Sequence, residues 1–165
     1  MTDFAQTPDW SREAPRGFWD PGRKLLKTIR DYQRLSGALG RLRRPFIVLR
    51  HRFWSAVTGA DIPLNAKIGG GLMIPHPNGI VVHPEAIIGV NCLIMQQVTL
   101  GVREGREGAP ILGGHVDIGA GAKVLGPVTI GADARIGANA VVLIDVPTGG
   151  RAAGVPARII PAKDE

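Results

Sequence analysis

Between Asp61 and Val142, aliphatic residues recur every six positions, a period that matches neither the 3.6 of a helix nor the 2 of a flat strand. The anchors are Ile62, Ile68 and Ile74, then Val82, Ile88, Ile94 and Leu100, then Leu112, Ile118, Val124, Ile130, Ile136 and Val142. Glycine follows the anchor at Gly69, Gly89, Gly101, Gly113, Gly119, Gly131 and Gly137. Small or apolar residues stand four places after it at Ala66, Ala86, Cys92, Val98, Val116, Ala122, Val128, Ala134 and Ala140. Thirteen anchors in one phase specify a parallel β-helix whose coil is a triangle of three short faces, about 18 residues per turn. The anchors fill the interior, the small residues fit the corners, and glycine admits the tight backbone there.

Two breaks in the period stand out. Ile74 to Val82 is eight residues, with the extra pair inside PHPNG, and Leu100 to Leu112 is twelve, spanned by VREGREGAP. Coils stacked by strand hydrogen bonds can only extrude an insertion, so 102–111 reads as an outward loop. Loops on a rigid scaffold are where function concentrates. The chain divides into a loose N-terminus at 1–16, an α-helical segment at 17–60, the β-helix at 61–147 and a C-terminal segment at 148–165.

In the helical segment, Leu25, Ile29 and Tyr32 share one face, and Phe46, Leu49, Phe53, Trp54 and Val57 another. Both sets sit at core spacing. Asp20-Pro21 and Arg44-Pro45 read as helix starts and Gly59 as a stop. Residues 1–60 carry 12 Lys/Arg against 5 Asp/Glu, while 61–165 carry 8 against 9. The positive charge therefore belongs to the N-terminal helices, which suit peripheral contact with a membrane face; nucleic acid is not expected. A lone Cys92 fits a reducing compartment. With no secretory leader and no apolar run of about 18 residues, the expected location is the cytoplasm.

The first break holds His76, a residue suited to take a proton from a hydroxyl near neutral pH. Asp61 lies 18 residues before Gly79, which on a regular coil stacks it beneath the corner that carries His76. A carboxylate there would fix the imidazole's tautomer and stabilise the imidazolium; the competing reading is a corner histidine and a helix-capping aspartate. His83 falls one coil beneath Gly101, and His115 reads as a surface residue. No metal is expected, because His76 and His83 point in different directions and no carboxylate cluster supports them.

ADIPLNAKIGGGLMIPHPNGIVV, followed by IIGVNCLIMQQVTLG, IGAGAKVLGPVTIGADARIGANAVVLIDVP and AAGVPARII, resembles the serine acetyltransferase family of hexapeptide-repeat acyltransferases. The resemblance implies a left-handed β-helix, with His76 as the base and Asp61 as its partner. It implies a homotrimer that binds acetyl-CoA between subunits, the pantetheine arm meeting backbone at Gly101, Ala120 and Ala138.

Three of the family's charged serine ligands are absent. The Asp before the catalytic His is Pro75 here, and the loop's Arg-His-Pro reads Gly108-Ala109-Pro110. The chain thus looks closer to short members of the family linked to polysaccharide O-acetylation. The expected reaction is acetyl transfer from acetyl-CoA to a sugar hydroxyl, the acceptor held by Asn78, His83, Gln96, Gln97, Arg103 and Arg106. The alternatives are serine O-acetylation and a catalytically idle trimeric scaffold.

Overall fold

In the computed structural model, which describes residues 4–161, a short N-terminal arm and two helices cap one end of a three-sided solenoid. The first face is the sheet of β2 (Val81–Val82), β5 (Thr99–Gly101), β8 (Lys123–Leu125) and β11 (Val141–Val142). The second holds β1 (Lys67–Ile68), β3 (Ile87–Ile88), β6 (Ile111–Leu112) and β9 (Thr129–Ile130). The third holds β4 (Leu93–Ile94), β7 (Asp117–Ile118), β10 (Arg135–Ile136), β12 (Arg151–Gly154) and β13 (Ala157–Ile160). All pairings between coils are parallel; only the terminal β12–β13 hairpin is antiparallel, and β12 carries the stack past residue 147. The fold is mainly β, a left-handed parallel β-helix.

Twelve of the anchor aliphatics are buried and Ile68 is half-buried; the small residues four places on are buried with them, in one continuous core. Each fully buried Ile, Leu or Val contributes about 1.5–3 kcal/mol relative to exposure. Cys92 belongs to this core. Burial pushes its thiol up to about 11, and its sulfur donates to the Gly113 carbonyl at 3.3 Å. It is no nucleophile.

The glycines after the anchors have a different role from the expected one. Their φ is not positive. A Cβ on Gly89 would lie 2.3 Å from the Gly113 carbonyl oxygen, so glycine is required there by the close approach of the next coil. The left-handed turn conformation falls instead on Gly71, Asn91, His115 and Asp133 at one corner, and on Gly79, Gln97, Gly121 and Asn139 at another. Gly, Asn and Asp tolerate it cheaply.

Register explains both breaks. Lys67 pairs with Ile87 and Asp61 with Val81, a coil of 20 residues, the extra pair being accommodated in 75–79. Ile87 pairs with Ile111, a step of 24, because the extruded loop adds six; the next coils return to 18. The loop ends one residue earlier than expected, since Ile111 already belongs to β6, and a bridge between Arg103 and Arg106 closes a tight turn near its start.

The N-terminal 4–16, expected to be loose, is tied to the solenoid. Asn91, fully buried, accepts from the Asp9 N–H at 2.7 Å and donates to the carbonyls of Phe4 at 2.6 Å and Thr7 at 2.8 Å. A 3-10 turn, Trp10–Glu13, then delivers Glu13 to Arg30. Helix α1 (Pro21–Gln33) starts at Pro21 as expected and buries Leu25, Leu26 and Ile29. Helix α2 (Gly37–Thr58) stops at Gly59, whose left-handed φ of 65° closes the helix while its N–H bonds Ser55 O at 2.8 Å. Two expectations fail here. Pro45 lies inside α2 rather than starting a helix, and Phe46, Leu49, Phe53 and Val57 point to solvent rather than into a core. The inward side of α2 is made instead by Gly40, Ile47, Val48, His51, Trp54 and Thr58; Trp54 packs against the core and the His51 Nε2 lies 2.9 Å from Ile62 O of the first coil.

Candidate active site

The coil of 20 residues moves Asp61 relative to His76. Its partner across the sheet is Val81, while the residue opposite Gly79 is Gly59, whose carbonyl accepts the Gly79 N–H at 2.8 Å. An 18-residue count across an insertion of two therefore misplaces the stacking by two positions. Asp61 sits at the foot of the first face, in the outward row that continues through Val81, Thr99 and Lys123. His76 is on the corner that feeds the same row. Both side chains are exposed, and neither makes a side-chain hydrogen bond among the described residues. Each is free to engage a ligand or the other.

The corner carrying His76 is the lowest step of a ladder. Gln97 N–H donates to Asn78 O, Gly121 N–H to Gln96 O and Asn139 N–H to Ala120 O, each at 2.8 Å. That ladder brings Asn78, Gln96, Gln97, Ala120 and Ala138 into one column along one edge of the first face. The corner that carries the column keeps the left-handed turn of the coils above and below it. Gln97 holds φ at 59°, a conformation costly for a residue without a short polar side chain. The Gln96 side-chain oxygen is buried with no hydrogen-bond partner, a cost that a bound donor would relieve. Lys123 closes the ladder from the side by donating to the Gln97 carbonyl.

Gly101 and His83 lie at the other edge of the same face, joined by the His83 N–H bond to Leu100 O at 2.8 Å. His83 turns its Nδ1 to the Glu85 N–H at 3.3 Å. Arg103 and Arg106, near the start of the extruded loop, border a hollow with Leu125, Pro127, Leu143 and Asp145. These residues are therefore separated from the His76 corner within one chain by the width of the sheet, roughly 10 Å for a three-residue strand. His115 is bonded to Asp133 at 2.7 Å and covered edge-on by Phe4, far along the third face's corner.

A cleft of about 560 Å³ opens where His76 and Asn78 meet the helical cap. Sequence reasoning missed the residues on its far wall: Arg12, Arg16, Asp20 and Arg23. Burial would raise the Asp20 carboxyl, but hydrogen bonds from the Arg16 N–H and the Arg23 guanidinium outweigh it and hold it below the ordinary carboxylate range. Both of those bonds fall on one oxygen, Oδ2, and the Arg23 backbone N–H also supports the carboxylate. Arg12 is spent on Asn91 O at 2.5 Å and Arg23 on Arg12 O at 2.8 Å, whereas the Arg16 guanidinium has no hydrogen-bond partner among the described residues. The cleft thus brings a hydrogen-bonded carboxylate, and a guanidinium without a hydrogen-bond partner among the described residues, onto the same lining as His76. The only sequence signal was the Asp20-Pro21 helix start.

Comparisons with known proteins bear on this geometry. Residues 109–143 match the family model described as bacterial transferase hexapeptide, six repeats. The serine acetyltransferase of Helicobacter pylori (strain J99) is 49% identical over 106 residues, which is 63% of this chain and 62% of that one. Soybean serine acetyltransferase complexed with serine superposes with a TM-score of 0.72 at 38% identity, over 85% of this chain and 57% of that one. The Brucella abortus serine acetyltransferase in complex with coenzyme A gives 0.73 at 35%, over 85% and 56%. The chain spans about half the length of the curated relatives it matches. The repeat and the three-sided coil make this a hexapeptide-repeat β-helix. Over the solenoid it is similar to the serine acetyltransferases.

Proposed function

We propose that the protein is an acetyl-CoA-dependent O-acetyltransferase and that His76 is its base. The observation that supports it best is an exposed, unpartnered imidazole in a cleft, on the column that continues into Ala120 and Ala138. As the acceptor oxygen attacks the thioester carbonyl, His76 takes the hydroxyl proton. The tetrahedral intermediate then expels the CoA sulfur, which recovers the proton from the imidazolium, so no acyl-enzyme is needed. Asp61, unpaired at the foot of the same face, orients the imidazole, and backbone N–H groups near Gly101 stabilise the oxyanion.

Gly101 and the Ala120–Ala138 column lie on opposite edges of one rigid face, so they can flank one pantetheine arm only if they come from different chains. A rotation that sets one edge against the other generates a closed ring, and a homotrimer with intersubunit cofactor clefts is the proposed assembly.

For the acceptor, the relatives' names and the serine-bound soybean structure favour L-serine over the sugar hydroxyl expected from the sequence. Charged groups on the cleft wall support this reading, with Asp20 for the ammonium and Arg16 for the carboxylate, in place of the three charged ligands lacking at Pro75, Gly108 and Ala109. A sugar remains the second reading because Ala109 and Pro110 are buried and carry no charge. The test is kcat/KM for L-serine against a panel of glycans and nucleotide sugars. Serine turnover at about 10⁴ M⁻¹s⁻¹ or more is expected; efficient use of a sugar with negligible use of serine would transfer the assignment to the second reading.

A further inference from the structure

Helix α2 carries an apolar seam that nothing among the described residues covers. Leu39, Leu42, Phe46, Leu49 and Phe53 are spaced 3, 4, 3 and 4 apart, which places them in one line along the helix, and they are 54% to 72% exposed. Val57 extends the line to the wall of the His76 cleft. At that end Phe18, 91% exposed, and Trp19, 66% exposed, join the patch: Trp19 stacks edge-on against Trp54 at 5.9 Å, Phe53 does so at 5.0 Å, and the Lys24 ammonium lies over Phe18. A continuous exposed patch of this kind marks an interaction surface.

The charges decide what occupies it. From 32 to 60 the sequence has six arginines and no Asp or Glu. Arg43 borders the seam on one side and Arg41 and Arg52 on the other; none of the three has a hydrogen-bonded or ion-paired partner among the described residues. Arg50 turns back to Asp31. If two copies paired seam to seam as a coiled coil, Arg43, Arg50 and Arg52 would take the flanking positions, where opposite charges are needed, and meet only their own kind. Anionic headgroups supply the missing negative charge. A helix with bulky apolar and aromatic residues on one stripe and arginines on both borders is built to lie in the interfacial plane. Among the described residues no helix is long and apolar enough to cross a membrane, which leaves an in-plane mode.

We propose that α2, with Phe18 and Trp19, binds the protein peripherally to an anionic lipid surface, the seam immersed among acyl chains and Arg41, Arg43 and Arg52 at the headgroups. This contact is independent of the acetyl-transfer reading. The experiment is cosedimentation of the full chain with vesicles of phosphatidylcholine mixed with phosphatidylglycerol, and with vesicles of phosphatidylcholine alone. Light scattering of the same samples without lipid is recorded in parallel. Binding to the mixed vesicles should exceed binding to the neutral ones by about 100-fold, the worth of three basic residues near an anionic surface. Leu42→Ser/Phe46→Ser and the triple Arg→Gln variant at 41, 43 and 52 alter exposed side chains only, so they should keep wild-type melting and lose vesicle binding. Equal binding to both lipids, or none, overturns the proposal. So does a seam variant that halves the particle mass in solution without affecting sedimentation, which would give the seam to a second copy.

Discussion

Replacing His76 by alanine should lower kcat by about 10²–10⁴, the usual worth of a positioned general base, with acetyl-CoA binding retained. The split follows from position. His76 lines the cleft, is exposed and makes no side-chain hydrogen bond among the described residues, so its removal should disturb little packing. The Ala120–Ala138 edge of the column is built from backbone that the substitution does not touch. Asp61→Asn should cost less, since it misorients the imidazole without removing it. Steady-state kinetics and a direct CoA-binding measurement check both. His83 provides the control: its Nδ1 is turned to Glu85 N–H at the opposite edge of the sheet. Near-native turnover in His76→Ala together with abolished turnover in His83→Ala would assign the base to the wrong edge.

Glu13→Ala should destabilise the fold by about 3–5 kcal/mol, the cost of leaving a buried charge without its partner. Arg30 is 9% exposed and Glu13 6%. The guanidinium donates from Nη2 to Glu13 Oε1 at 2.8 Å and from Nε to Oε2 at 3.0 Å, and also reaches the carbonyls of Ile68 and Gly69 at 2.7 Å. Glu13 in turn accepts the Leu72 N–H at 3.0 Å. One ion pair therefore joins the arm, α1 and the first coil. Arg30→Ala should cost a similar amount, and the double variant clearly less than the sum. Urea unfolding at one fixed protein concentration reads this out. A Glu13→Ala change within about 0.5 kcal/mol of wild type would mean that the arm is held by its other contacts, those to Asn91 and Arg23 among them.

The solenoid was legible because its signal is repeated: thirteen anchors report one geometry, and an error at any one is outvoted. The two breaks were legible for the same reason. What the breaks do was not, because a period says where residues were added but not which coil absorbs them. Thus Asp61 was stacked on Gly79 when the extra pair sets it beside Val81. The turn-forming role was given to glycines such as Gly89, whose conformation is ordinary and whose constraint is the carbonyl above; the left-handed corners fell on Asn91, Gln97 and His115, which carry no common residue type. Periodicity on α2 identified an apolar line but not what covers it, and the same spacing serves a buried core and an exposed seam. The arm was opaque for a plainer reason. Asn91 holds it through backbone groups of Phe4, Thr7 and Asp9, and a backbone carbonyl leaves no mark in a sequence.

At the candidate site, the sequence singles out His76 and Asp61 but not the groups that face them across the cleft. His76 was recognisable from its place in the first break. Asp20 and Arg16 were hidden because they come from the helical cap, about 60 positions away in the chain, and reach the cleft only through the docking of α1. The missing family charges at Pro75, Gly108 and Ala109 point to a neutral acceptor, whereas the proposed serine reading rests on Arg16 and Asp20 of the facing wall, which no motif marks.

The most direct test of the account is acceptor-dependent release of the CoA thiol from acetyl-CoA by the purified full chain, with the acetylated product identified by mass. The account predicts release that requires a hydroxyl acceptor, yields the O-acetyl ester in equal amount and is suppressed in His76→Ala. A folded, trimeric protein that neither binds acetyl-CoA nor releases its thiol with serine or any glycan in the panel would contradict it and leave the solenoid as a scaffold.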